Sequence, residues 1–157
     1  MFSTSLPTAR APSSGEARDV KKVPFVELLG QRLQGVVSSG SDIQRVYVSF
    51  FEAGTLNYWC STNNNRPCGG LRGTPCGHLH ELLQEAIAQY GIERVVAFLR
   101  IPGDPAQIQS VRDILQHSGH MAHEAAGDIF SRFLSDLQLL ELPADTGPLH
   151  TMTWFIP

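Results

Sequence analysis

The chain has 157 residues, a formal net charge of −3 and 42% hydrophobic residues. This length and composition predict one globular domain with a hydrophobic core of its own. The negative net charge argues against broad nucleic-acid binding, which depends on clustered lysine and arginine. No stretch approaches the ~18 apolar residues that a membrane span needs. Three cysteines are an odd number, which disfavours a secreted disulfide framework, and the N-terminus lacks a signal-peptide pattern. We therefore expect a cytoplasmic protein of bacterial type with no membrane partner.

The N-terminal residues 1–22 are rich in Ser, Thr, Ala, Pro and Gly and have no apolar period, so they predict a disordered tail. We expect one α/β domain over 23–157, with a metal-binding loop at 60–78. Its first element is predicted to be a helix, because four apolar residues recur at helical spacing after Pro24. These residues are Phe25, Leu29, Leu33 and Val36.

A hairpin, a helix and a third strand are predicted next. Arg45–Phe51 is β-branched and aromatic and reads as a strand, and Thr55–Cys60 returns as its hairpin partner. Apolar residues over Leu79–Tyr90 follow a helical period, and Gly91 suits the residue after a helix. The short apolar run Arg94–Leu99 predicts a strand that is buried on both faces.

The last third of the chain predicts two helices and a final strand. Asp104 and the proline after it suit an N-cap and a first helical turn, so a helix is predicted to run to His117. A second helix is predicted over 121–140, a loop over 143–148 and a strand over 150–156. The predicted fold class is therefore α/β (α+β), a small mixed sheet of about four strands with helices packed on it, in the order α-β-β-α-β-α-α-β.

The cysteines give the strongest chemical signal. Cys60, Cys68 and Cys76 lie within 17 consecutive residues, with seven residues between each pair, and His78 follows. Three thiolates and one imidazole are the ligands of a closed tetrahedral zinc site. Seven intervening residues are more than a tight zinc knuckle has, so each of the two segments between cysteines must fold back on itself. We predict that these four residues hold zinc.

The composition of the loop suits that folding. Asn63–Asn65 tolerate left-handed turns, and several glycines permit close backbone approach. The positive end of the helix after Cys76 would stabilise thiolate, and Arg66 and Arg72 can offset thiolate charge. Two alternatives remain on the sequence alone: free cysteines in the core and loop, or an iron–sulfur cluster with glycine N–H groups donating to sulfur. His80 is an alternative ligand to His78, although it lies nearer the solvent side of the helix.

Cys-Gly-His at 76–78, opening an apolar helix, resembles the second half of the SWIM zinc finger. The resemblance covers about 55–90. It implies ligand roles for the three cysteines and His78, and binding to protein or nucleic acid rather than catalysis. The family has one residue between its first two cysteines, whereas this chain has seven.

A second cluster of metal-binding side chains comes from His120, His123 and Glu124, near His117 and Asp128. On one continuous helix most of them would share a face and could form a catalytic metal site. Gly119 interrupts that helix, so we favour a polar corner between two helices and expect no catalytic residue. The sequence thus predicts a non-catalytic, zinc-stabilised adaptor or accessory subunit that binds a protein partner within a multi-protein complex. The alternatives are an iron–sulfur redox subunit and a nucleic-acid-binding zinc finger, which the net charge disfavours.

Overall fold

The computed structural model describes residues 22–39 and 45–141, and it shows a four-stranded sheet with helices on both faces. The strands are β1 (Phe25–Leu29), β2 (Arg32–Ser38), β3 (Val46–Glu52) and β4 (Tyr58–Thr62). The helices are α1 (Gly77–Tyr90), α2 (Ile92–Leu99), α3 (Val111–Leu115) and α4 (Gly127–Glu141), with a 3₁₀ turn over Pro105–Gln107. Strands that follow one another in the chain pair antiparallel in the sheet.

The N-terminal segment is a β-hairpin, so the predicted first helix is wrong. Leu29 pairs with Arg32, which leaves a two-residue loop of Gly30 and Gln31. Gly30 has a φ of 59°, and glycine at the first position of such a loop is typical of the hairpin turn that matches strand twist. The helical spacing of Phe25, Leu29, Leu33 and Val36 is a coincidence across two strands, since one turn separates the pairs.

The two faces of the sheet are both buried, each against different helices. Leu33, Phe51 and Tyr58 point to one face and pack with the side chains of α1, α2 and α3. Phe50 and Trp59 point to the other face and pack with the segment before α4 and with α4 itself. Because side chains alternate along a strand, two covered faces bury nearly every residue of the inner strands, as seen in β2, β3 and β4.

Helix α1 lies directly on the sheet at a glycine. A Cβ atom on Gly35 would lie 2.7 Å from the Leu82 methyl carbon Cδ1 and 2.3 Å from the carbonyl oxygen of Phe25. Only glycine therefore lets the helix approach β2 this closely. At the far end of the helix the Tyr90 hydroxyl donates to the carbonyl of Val26, at 3.1 Å. These two contacts fix α1 across β1 and β2.

The predicted third strand at Arg94–Leu99 is also wrong, because the segment is helix α2. Val95, Val96 and Leu99 are buried, a spacing that places them on one helical face. Gly91, with a φ of 83°, ends α1 and begins α2. A short apolar run fits a buried strand and a buried helix equally well by periodicity. Here the preceding glycine turn directs the chain back onto the core as a helix.

The helices that follow are shorter than predicted. The Asp104 side chain accepts from Ala106 N, as expected of a cap, but it caps only a 3₁₀ turn. Ser110 caps a new start, α3, which ends at Leu115. The next helix begins at Gly127 rather than at 121, because residues 119–122 exchange backbone hydrogen bonds with Leu56 and with Tyr58 at the start of β4.

The α+β fold with about four strands and packed helices is confirmed. The sheet is antiparallel rather than mixed, and the order is four strands followed by the helices over the residues described. The predicted tail, except for Lys22, and the predicted loop and strand at 143–148 and 150–156 lie outside the described residues. Over the described ranges no helix has the length and apolar character needed to cross a membrane.

Candidate metal centre

Strand β4 and the return segment after it form a hairpin that places two cysteines opposite each other. Ser61 forms an antiparallel bridge with Pro67, and the Cys68 N–H donates to the Cys60 carbonyl at 3.0 Å. In this register Cys60 faces Cys68. Cross-strand partners have their side chains on the same side of the sheet, with Cβ atoms ~5 Å apart. The gap of seven residues therefore closes as a hairpin rather than as a knuckle.

The tip of this hairpin is held by its own hydrogen bonds. The Thr62 N–H donates to the Arg66 carbonyl at 2.8 Å, and the Arg66 N–H donates to the Thr62 hydroxyl at 3.2 Å. Asn65 has a φ of 63°, in the left-handed region that asparagine tolerates better than most residues. The three-asparagine run is thus the loop of the hairpin, as its composition indicated.

The second arm brings Cys76 to the same point. After Cys68 the chain turns, with the Leu71 N–H donating to the Cys68 carbonyl at 3.0 Å and the Gly70 N–H donating to the Cys68 sulfur at 3.4 Å. A side chain on Gly70 would place its Cβ 3.0 Å from that of Cys76. Cys76 is the N-cap residue of α1, so His78 lies in the first turn of that helix.

The four side chains converge on one point. The imidazole Nδ1 of His78 lies 3.7 Å from the Cys60 sulfur, 3.4 Å from Cys68 and 3.8 Å from Cys76. All four candidate ligand atoms lie within 4.8 Å of one another. Zinc with sulfur at ~2.3 Å and nitrogen at ~2.0 Å in a tetrahedron would hold that nitrogen ~3.5 Å from each sulfur. The arrangement has the dimensions of such a site, and the three cysteines form no disulfide.

The surroundings of the four side chains suit a bound thiolate. All three cysteines are buried, and His78 is half-buried under the ring of Tyr47, with ring centres 3.8 Å apart and planes at 18°. Ser49 pairs with Cys60 across β3 and β4 and is fully buried, and its hydroxyl has no oxygen or nitrogen partner. A sulfur that carries charge would accept this hydroxyl hydrogen bond, so the buried polar group fits a metal-bound Cys60.

The electrostatics favour thiolates at two of the sulfurs. Hydrogen bonding with the Cys60 thiol, which has a single hydrogen to share, is the largest cause that lowers the pKa of Cys68 to about 6 and that of Cys76 to about 4. Donation to these two sulfurs, together with burial, raises the pKa of Cys60. Burial lowers the pKa of His78, but hydrogen bonds to the Cys76 and Cys68 sulfurs together raise it by more, so its pKa is above the ordinary value. Thiolate is the form of cysteine that binds metal ions.

The three other residues that the sequence analysis named near the site, Arg66, Arg72 and His80, do not join the converging group. Arg66 and Arg72 are both exposed, on the hairpin and on the second arm. His80, the alternative ligand, lies one turn into α1, where its N–H donates to the Cys76 carbonyl at 3.2 Å, and its ring is not in the converging group. The geometry therefore selects His78 as the imidazole that joins the three cysteines.

The residues of the second predicted cluster are not brought together. The His120 N–H donates to the Asn57 side chain, the His123 ring lies against Trp59, and Glu124 pairs with Arg32. Among the residues that the structure describes, the cysteine–histidine group is the one set of three or more such side chains that could hold a metal ion.

Sequence reasoning missed two side chains around the cysteines, those of Tyr47 and Ser49. Ser49 and Tyr47 alternate along β3 with the same phase as Phe51, so a strand pairing would have placed them on the face that carries Cys60. The missing information was the register between β3 and β4. Composition alone shows only a serine and a tyrosine in an apolar strand.

No protein-family model matches the chain, and neither a curated protein nor a solved structure gives a match. The likeness to the SWIM zinc finger therefore stays a prediction from residues 76–78 and the helix after them.

Proposed function

We propose that this protein is a non-catalytic, zinc-stabilised adaptor or accessory subunit that binds a protein partner. The observation that carries the proposal is the convergence of three buried sulfurs and one imidazole nitrogen within 4.8 Å. Structural zinc sites are closed by four protein ligands, whereas catalytic ones keep a position open for water or substrate. Here the chain itself supplies all four ligands, so a bound ion would have no open position.

One ion explains the distances better than an iron–sulfur cluster. In such a cluster the protein ligands are distributed over two or more irons, which inorganic sulfides bridge. Ligand atoms that all lie within 4.8 Å of one another leave room for a single ion. Zinc suits three thiolates and one imidazole in a tetrahedron, and it has no redox chemistry. The iron–sulfur alternative is therefore the weaker one.

A zinc ion here would join separate parts of the fold. Cys60 lies on β4, Cys68 on the return segment, and Cys76 and His78 at the start of α1. The ion would fix the hairpin against the helix and so present the exposed tip of the hairpin in one orientation. A rigid exposed loop on a stable core is a common basis for binding a partner.

Metal analysis tests the first half of the proposal. Protein purified without oxygen should contain one zinc per chain, be colourless, and show three sulfurs and one nitrogen around the ion by X-ray absorption spectroscopy. Visible absorbance with bound iron would favour the redox alternative. Absence of any tightly bound metal would refute the zinc site.

Isolation of a complex with fixed stoichiometry tests the second half of the proposal, which is binding to a protein partner. The tagged chain, expressed at its native level, should elute in a complex larger than its own 17.2 kDa. Repeated preparations should contain one and the same partner protein in a fixed ratio to the chain. This partner should be lost when Cys68 and Cys76 are both replaced by serine. A chain that elutes alone at every salt concentration would argue against an adaptor.

A further inference from the structure

A polar groove lies beside the cysteine–histidine group. It has a volume of about 480 Å³ and is formed by the start of β3 and by the hairpin tip. The lining residues are Arg45, Tyr47, Thr62, Asn63, Asn64, Arg66 and Pro67. Two of them are arginines, and no aspartate or glutamate is among the described residues that line it. We propose that this groove binds an acidic peptide segment of a partner protein.

Strand register places the two arginines on one face. Cys60 lies between Ser49 on β3 and Cys68 on the return segment, and these three form one row across the sheet. Tyr47 pairs with Thr62, and the backbone of Thr62 bonds to that of Arg66. These three residues form the next row toward the hairpin tip, with their side chains on the same face of the sheet as Cys60. The groove therefore continues the face of the metal ligands toward the tip of the hairpin.

Arg45 belongs to the same face, since it precedes Tyr47 by two residues along the direction of β3. Arg45 and Arg66 are two strand spacings apart across the sheet and two residues apart along it, so their backbones are ~12 Å apart. Two guanidinium groups at this separation can each bind one carboxylate of an extended chain. Arginine suits this role because its planar fork matches a carboxylate with two parallel hydrogen bonds.

Neither arginine is engaged within the described residues. Both side chains are exposed, and neither forms an ion pair or a side-chain hydrogen bond with residues 22–39 or 45–141. By contrast, Arg32 and Arg132 are paired with Glu124 and Glu27. As far as the described residues go, the charge of the groove is thus available to a ligand.

The groove also has an oriented polar wall. The Thr62 hydroxyl donates to Asn64 Oδ1 at 2.5 Å and accepts the Arg66 N–H at 3.2 Å. Because Oδ1 is used in this bond, the amide nitrogen of Asn64 is left to donate to a ligand. Tyr47, which forms another wall, is held by stacking on His78. Less ordering is therefore required when a ligand binds.

Net charge distinguishes an acidic peptide from nucleic acid. The chain carries −3 overall, which disfavours a long polyanion that would extend past the two arginines. Nucleic-acid binding proteins make many phosphate contacts through clustered basic residues, whereas this groove offers two arginines. A short segment with two or three carboxylates matches that charge. The identification of a protein ligand rests on the proposed adaptor function.

The test uses the full, zinc-loaded chain and a fluorescein-labelled hexaglutamate peptide, followed by fluorescence anisotropy. We expect saturable binding that hexaglutamine does not show. Arg45→Gln and Arg66→Gln should each weaken binding about three- to fivefold, and the double variant about tenfold or more. Arg72→Gln is the matched control, since Arg72 is exposed on the same cysteine loop but does not line the groove. It should change affinity by less than about twofold.

Three results would overturn the inference: no saturable binding, an equal loss in Arg72→Gln, or tighter binding of a labelled oligo-dT strand that the two groove variants weaken. The last result would assign the groove to nucleic acid. Zinc content and melting temperature, measured on every sample, separate this inference from the proposed zinc site. One zinc per chain without peptide binding refutes the groove alone, and peptide binding without bound metal refutes the zinc site alone.

Discussion

Replacing Cys76 with serine should destabilise the whole domain and not only the loop. Cys76 joins the hairpin of β4 to the first residue of α1, the helix that packs across β1 and β2 through Gly35 and Tyr90. If a metal ion holds these parts together, its binding free energy contributes to the free energy of folding. Serine is nearly isosteric but is a poor ligand for zinc. The substitution therefore removes metal binding and little else.

Mass action gives the magnitude, because the ion binds the folded chain and not the unfolded one. The stabilisation is ~4 kcal/mol when free zinc exceeds its dissociation constant a thousandfold. For a domain of this size, ~4 kcal/mol corresponds to a fall in melting temperature of about 8–16 °C.

The assay is thermal unfolding followed by circular dichroism, with zinc content measured on the same samples. Wild-type protein with zinc should melt about 8–16 °C above Cys76→Ser, and a chelator should lower the melting temperature of the wild type to that of the variant. The chelator should not change the variant further. Coincident melting curves for the zinc-loaded wild type, the chelated wild type and the variant would refute a structural metal. A variant that melts far below chelated wild type would show that serine perturbs packing instead.

Three further predictions test the fold around the site. Gly35→Ala should lower the free energy of unfolding in urea by about 2 kcal/mol, because its Cβ would meet Leu82 and Phe25, while Gly69→Ala, with open space around it, should have little effect. Asn65→Val should weaken zinc affinity in a competition titration by about tenfold and Asn65→Gly should not, since the φ of 63° penalises a β-branched residue; equal affinities would refute the role of the hairpin turn. Burial raises the pKa of Glu27, but hydrogen bonds from Arg132 and Gln34 lower it more, so the net shift is downward. The stability that this carboxylate contributes is therefore present above its ordinary pKa of 4.5 and is lost as the pH falls through its lower pKa in the folded protein. Arg132→Gln should then reduce the loss of stability on acidification below about pH 4.5. An unchanged dependence of stability on pH would contradict the pairing.

The parts of the fold that sequence predicts correctly are those with local signals. Residues 45–60 read as a hairpin because β-branched and aromatic residues flank a glycine turn, and Leu79–Tyr90 reads as a helix because its apolar period extends over three turns. The first hairpin is missed because its buried residues fit a helical period by coincidence. Helix α2 is missed because eight residues are too few to separate a buried helix from a buried strand.

The candidate metal ligands are predictable for a different reason, which is that their chemistry is rare. Three cysteines and a histidine in one short stretch indicate a ligand set whatever the local backbone does. The surrounding groups are not predictable in this way. Ser49 and Tyr47 are separated from Cys60 and His78 in the chain, and only the register between β3 and β4 shows that they are neighbours. Long-range register depends on the whole core, which no local pattern encodes.

Register also explains why a seven-residue gap can serve a zinc site. In a knuckle, two cysteines with a few residues between them meet because the backbone turns tightly between them. Here Cys60 and Cys68 meet because they are opposite each other across a hairpin, with the loop at Asn63–Asn65 beyond them. Two further pairs lie between the cysteines and the loop, and they give the hairpin an exposed tip outside the site. The residues that lengthen the gap are thus the ones that form the arginine-lined groove. A shorter knuckle would hold the same ion but leave no wall for Arg66 to line, so the spacing links the metal site to the proposed binding surface.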